Sequence, residues 1–344
     1  MSTSVENNKG KFAEEKLAAM EVSFAKRGLL IALFSAGLWG LYAVIIHFAY
    51  GMNPLNKEGL NLMTIPVVVG ALHEIAAFLI FLVRNGMSGK LAEYPRTLKT
   101  IPGKLVCLGG IIGGPGALTC SMAGILFAGP AYALAITGLY PVMGAVLAVV
   151  FLKEKTNKRF WAGILLCVIG GFVLGFEPPK GDAYPHFYLG IMLSLLAAVG
   201  WGLEGTIGAF GTDTIDPNVS VGLRAMASSI VFIIMVPLVG GFGIFIDAIF
   251  VHPLAAGVVA LAALAGSHSL WYWYVAFGMT GVGRAMAMNS TYSLWGVVFT
   301  VILSSLGLMT FVLTKNLLLG IMIMVAGIIL VVINPKDLVK LRNN

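Results

Sequence analysis

The sequence predicts an all-α integral membrane protein of ten transmembrane helices, arranged as two inverted five-helix repeats. Apolar runs repeatedly reach the roughly 20 residues that a bilayer-crossing helix needs. With 58% hydrophobic and 11% charged residues over 344 positions, the chain lacks the polar surface of a soluble protein of this length. The second half also restates landmarks of the first, which is how inverted-repeat membrane proteins are built. Short alternating segments, the mark of an outer-membrane barrel, are absent from the pattern.

Residues 1–27 are polar and charged, with Phe12, Leu17, Met20 and Phe24 at helical spacing. They read as a cytoplasmic segment forming an amphipathic helix on the inner membrane face, or a solvated tail. The first apolar run starts at Gly28 and is long enough to span, so it is expected to stay as a signal anchor rather than be cleaved. Ten spans are expected at 28–49, 62–84, 104–126, 131–151, 159–177, 187–209, 221–241, 255–278, 284–305 and 316–334. The first repeat then covers 28–177, the second 187–334, and 335–344 form a cytoplasmic tail.

Loop charge orients the chain. Lys9, Lys11, Lys16, Lys26 and Arg27 precede span one; Arg84, Lys90, Arg96, Lys99 and Lys104 follow span two; Lys153, Lys155, Lys158 and Arg159 follow span four. Only Lys57, Lys180 and Lys315 lie on the other side. Both termini are therefore expected in the cytoplasm, with the protein in the inner (plasma) membrane. The net charge of +7 sits in these short clusters, so no nucleic-acid partner is indicated. Cys107, Cys120 and Cys167 all fall in apolar runs, which points to neither a disulfide framework nor a metal site.

The repeat is visible residue by residue. Trp39-Gly40-Leu41 in span one matches Trp201-Gly202-Leu203 in span six, and Gly59-Leu60 matches Gly222-Leu223. Ala133, Ala135, Tyr140 and Gly144 match Ala285, Ala287, Tyr292 and Gly296, while Gly163, Val168 and Gly170 match Gly320, Val325 and Gly327. Five spans per copy is an odd number, so the copies must enter the membrane in opposite directions. That arrangement is the usual frame for alternating access around a midplane site.

Glu204 is the residue that most needs explaining. A carboxylate near the middle of a membrane helix costs roughly 2.5–3.5 kcal/mol on insertion scales, so it is expected to face a wet cavity or a partner. Trp201 lies one turn earlier on the same face, where an aromatic and an anion together suit a cationic or polar solute. By repeat Glu204 corresponds to Tyr42, so the acid has no twin and the site is asymmetric.

These residues resemble the drug/metabolite transporter superfamily in its ten-helix, EamA-type branch. The resemblance covers about 28–334 and rests on three features. They are the Trp-Gly pairs of spans one and six, the Ala-rich start of span four leading through Tyr140-Pro141 to Phe151-Leu152-Lys153-Glu154, and the paired glycines of spans five and ten. It implies a central cavity lined by spans one, three, four, six, eight and nine, with spans five and ten peripheral. Two departures stand out: Glu154 has no partner at Ser305-Leu306, and Arg224 has Asn61 as its first-half counterpart.

Within that frame, the aromatic run of span eight is sorted by helical angle. Ser267, Trp271 and Tyr274 share one face, His268 and Tyr272 the next, and Trp273 points nearly opposite Trp271, towards packing or lipid. With Trp39, Trp201, Tyr140, Tyr292 and Trp295, Trp271 and Tyr274 are expected to cage an ammonium group. Asn289, Ser290 and Thr291 add donors and acceptors. Glu204, His268 and Glu74 are the candidates for proton coupling, although His73-Glu74 also reads as helix-to-helix hydrogen bonding. Arg224 and Arg284 read as anchors near the cytoplasmic helix ends, and Trp161 as an interface anchor.

Catalytic signatures are missing: no Gly-Lys-Ser/Thr follows the glycines at 109–116, and there is no His-Glu-x-x-His or Gly-x-Ser-x-Gly. No enzyme activity, cofactor or metal is expected. The sequence points to a secondary transporter of a small polar metabolite, a cationic or zwitterionic amine of methylated or quaternary type. It would work by proton-linked or exchange alternating access, the two halves rocking about the site. The alternatives are an amino-acid exporter and, from another class, a membrane enzyme or lipid-handling protein acting on headgroups. Besides substrate, protons and the bilayer are the expected partners; monomer and homodimer both remain open.

Overall fold

The computed structural model describes residues 2–57, 59–128, 136–151, 153, 156–175, 186–307 and 315–332, and for residues 2–14 and a few others the backbone alone. Glu154, Lys155, Lys180, Ala133, Ala135 and the tail 335–344 fall outside that set. Among the described residues the regular structure is helical: α1 (Ser2–Tyr50), α2 (Thr64–Met87), α3 (Glu93–Leu98), α4 (Ile101–Ile111), α5 (Thr119–Ala128), α6 (Tyr140–Phe151), α7 (Lys158–Gly175), α8 (Phe187–Thr212), α9 (Pro217–Leu238), α10 (Phe242–Phe250), α11 (Pro253–Thr280), α12 (Val282–Asn289), α13 (Tyr292–Ser305) and α14 (Lys315–Val332). Seven helical stretches are long and apolar enough to cross a membrane. Helix is found in each of the ten expected segments, but 140–151 and 318–331 are shorter than a full crossing, and α7 is not among the seven.

Three elements differ from expectation. The N-terminal segment continues α1 without a break instead of forming a separate helix. An extra amphipathic helix, α10, lies between α9 and α11, burying Ile244 and Ala248 while Phe242, Ile246 and Phe250 stay exposed. Between α4 and α5 the chain forms a π-helical segment, Ile112–Leu118, where Gly113-Gly114-Pro115-Gly116 interrupt the ordinary ladder. Pro115 has no N–H to give and its ring crowds the preceding turn, so a widened turn is the local answer. The indole Nε1 of Trp201 donates to the Gly113 carbonyl at 3.2 Å.

The distribution of side chains is that of a membrane protein. Leu30, Phe34, Leu79, Val83, Ile230, Ile233, Leu261 and Leu264 face outward, while Glu74, Glu204 and Arg224 are buried. Outward apolar groups suit lipid, and inward charges avoid it.

The helices pair across the chain. α1 packs on α11, α12 and α13; α8 packs on α4, α5 and α6; α2 packs on α9; and α7 packs on α14. Exchanging each first-half helix for its second-half counterpart turns this list into itself. Close contacts obey the same exchange: a Cβ on Gly40 would strike Trp295 and Gly296, and one on Gly202 would strike Met143 and Gly144. α7 and α14 approach through Gly163 and Gly327, and through Gly170 and Gly320. Small residues let membrane helices touch backbone to backbone.

Candidate functional site

A cavity of about 750 Å³, counting its open mouth, lies where α1, α2, α6, α8, α9, α11, α12 and α13 converge on the π-helical segment. Its wall contains Trp39, Trp201, Trp273, Tyr140, Tyr292, Asn289, Ser267 and Ser269, and its charged side contains His73, Glu74, Glu204 and Arg224.

The charged side is a buried ion triad. Arg224 Nε donates to Glu204 Oε1 at 2.7 Å, and its Nη1 donates to both oxygens of Glu74 at 2.6 and 2.5 Å. The three side chains come from α9, α8 and α2 and are 6%, 2% and 1% exposed. A buried charge is tolerated only with partners, and here one guanidinium serves two carboxylates. His73 Nδ1 stands 3.6 Å from Glu74 Oε1. Glycine makes the room: a Cβ on Gly113 would overlap the Glu204 carboxylate, and one on Gly114 would overlap Ser228.

Arg224 thus corrects its reading as an anchor; it lies at the centre of the site. The clue was in the sequence, since Arg224 broke the repeat, but only folding brings it to Glu204 and Glu74. Glu74 lines the cavity and bonds between helices at once. Arg284 is likewise buried, with its guanidinium 5.6 Å from the Phe160 ring centre.

Where α6 crosses α12 and α13, repeat-related bonds close the wall. Tyr140 Oη donates to Asn289 Oδ1 at 2.8 Å, and Tyr292 is hydrogen-bonded to Thr137. Thr137 and Tyr140 are the first-half counterparts of Asn289 and Tyr292. Asn289 Nδ2 continues to Ser35 Oγ at 3.0 Å, and Ser35 and Ser269 each donate to the other's carbonyl at 2.7 Å. Nothing in the sequence pattern marked Ser35.

Of the expected binding residues, Glu204, Trp201, Trp39, Tyr140, Asn289 and Tyr292 line the cavity; Tyr42, Trp271, Tyr274, His268 and Trp295 do not. Tyr42 lies behind the wall, 4.7 Å from the Trp39 ring and 5.0 Å from His73. Trp295 packs over Gly37 and Gly40. His268 points away, its Nδ1 2.8 Å from the Leu264 carbonyl.

The face assigned to α11 is corrected. Gly266, Ser267, Ser269, Leu270 and Trp273 form the cavity face, so Ser267 marks its edge and Trp273 belongs to it. Trp271 lies outside, beneath the Arg84 guanidinium at 3.9 Å. Tyr274 is fully buried against Gly208. In a helix apolar all round, no polar stripe fixes the rotation, and one serine was too slight a marker.

Comparison with known proteins fits the fold. Residues 26–176 match the EamA-like transporter family. Protein LicB of Haemophilus influenzae is 27% identical over 191 residues, which are 55% of this chain; the chain spans 63% of the length of that curated relative. A solved structure described as the crystal structure of a protein aligns with TM-score 0.64 over 90% of this chain and 97% of its own, at 17% identity, a likeness of fold alone. The likeness to the EamA-like transporter family thus lies in residues 26–176, most of the first half of the chain.

Proposed function

We propose that this protein is a secondary active transporter of a small cationic or zwitterionic amine, of the methylated or quaternary type, working by proton-linked or exchange alternating access. On this reading ten spans form two inverted five-helix repeats in the inner (plasma) membrane, with both termini cytoplasmic. The observation that carries it is the cavity itself, where three indoles and two phenols face a buried group of two carboxylates and one guanidinium. Aromatic faces attract a cation that offers few hydrogen bonds, and the attraction grows in a dry site. The exchange-symmetric helix pairing supports alternating access, because the same interfaces exist in both orientations.

The test is uptake into proteoliposomes from a panel of choline, betaine, methylamines and amino acids. Uptake of methylated amines supports the reading; uptake of amino acids alone turns it towards the exporter alternative. If no solute crosses while a lipid headgroup is modified, the reading fails.

A further inference from the structure

The two carboxylates are not held equally. Glu74 gives both oxygens to Arg224, whereas Glu204 gives only Oε1, and its Oε2 lies over Gly113 on the cavity side. Around Glu204 the packed elements present Arg224 from α9, Glu74 from α2 and Tyr274 from α11, while His73 and Tyr140 line the same cavity and Tyr42 from α1 faces Glu74 and Arg224. The π-helical segment adds no titratable side chain. His73 Nε2, the Trp273 Nε1 and the Tyr274 hydroxyl have no hydrogen-bond partner among the described residues, while His73 Nδ1 faces Glu74. Arg224 balances one carboxylate, and with the His73 imidazole beside Glu74 in its neutral form one negative charge is left over.

Resting on the transport reading above, we propose that this single excess charge is neutralised alternately by one proton and one monovalent substrate cation, which makes transport an electroneutral one-for-one exchange with Glu204 as the exchanging group. When the cation enters, the O–H bond of protonated Glu204 breaks and the proton leaves to cavity water; the ammonium takes its place. Arg224 keeps its proton and its bonds to Glu74 throughout. A site that is neutral in both loaded forms avoids carrying net charge across the bilayer, which otherwise costs about 2.3 kcal/mol per charge for each 100 mV.

Choline and tetramethylammonium are the probes, in proteoliposomes whose pH gradient and potassium-diffusion potential are set separately. An inside-acid gradient of one pH unit is expected to drive about tenfold accumulation, and a potential alone none. Accumulation driven by the potential without a pH gradient, or about a hundredfold response to one pH unit, overturns the proposal while leaving the transport reading intact. Absence of uptake of any probe removes both. Glu204→Gln is expected to abolish the response to the pH gradient. Glu74→Gln, whose remaining Arg224–Glu204 pair is already neutral, is expected to make transport of the cation voltage-driven. Wild-type-like exchange in the Glu204→Gln variant, with folding checked by size exclusion, also overturns it.

Discussion

At the scale of the residue, the site depends on what is missing as much as on what is present. Gly113 carries no side chain because the Glu204 carboxylate occupies that space. Gly113→Ala is expected to push Glu204 off Arg224, cost about 1–3 kcal/mol by overpacking, and cut transport more than tenfold. Gly171→Ala, where nothing lies within 4 Å, is the control and should melt no lower than wild type. Trp273→Ala is expected to raise the KM for a methylated amine on the order of ten- to thirtyfold, the size of a desolvated cation–π contact. Trp271→Ala should leave it nearly unchanged, and equal effects would refute the cavity face given above. Glu204, Trp39, Trp201, Tyr140, Asn289 and Tyr292 were legible in the sequence because a charge in an apolar run and repeated aromatics are signals in themselves. Arg224 and Trp273 were not, since one needed a tertiary partner and the other a helix rotation.

Among the elements, helix positions were readable because hydrophobic length speaks directly to bilayer thickness. The π-helical segment was not, although its glycines and Pro115 were plain, because the same residues also suit simple close packing. The joint between the α2–α3 loop and the start of α9 was equally hidden. There Lys90 Nζ bonds Asp216 Oδ2 at 2.7 Å, and Asp216 Oδ1 caps α9 through the Asn218 N–H at 2.9 Å. Partial burial opposes ionisation of Asp216, but the hydrogen bonds from Lys90 and Asn218 outweigh it and hold the carboxyl below its ordinary range. A carboxyl depressed in the folded state stabilises above its unfolded pKa, near 3.9 for aspartate, and that contribution is lost as pH falls through the depressed value. Thermal melting in detergent should therefore drop below about pH 4 by an amount that Asp216→Asn removes. The pair is half open to water, so the difference should stay within about 0.2–1 kcal/mol.

For the whole molecule, the sequence repeat suggested that the two halves rock against each other, yet the packing divides the helices differently. α2 and α9 are tied at both ends and the middle: Thr64 Oγ1 donates to the Val239 carbonyl at 2.7 Å, Arg224 holds Glu74, and Asn85 Nδ2 donates to the Asn218 carbonyl at 2.9 Å. α7 and α14 interlock through glycines. Each of these pairs joins one half to the other, so neither half can swing as a rigid body without breaking them. What remains are two groups, α1 with α11–α13 and α8 with α4–α6, each mixing helices of both halves. Spin labels at exposed positions distinguish the two motions. If the groups move, the distance from Phe34 on α1 to Leu261 on α11 should stay constant when choline is added or the pH is shifted, whereas Phe34 to Leu196 on α8 should change by several ångströms. If the halves move instead, Phe34 to Leu261 must change, because those residues belong to different halves. The pair Leu79 on α2 and Ile234 on α9 reports on the frame, and movement there would mean that the Arg224–Glu74 tie opens during the cycle.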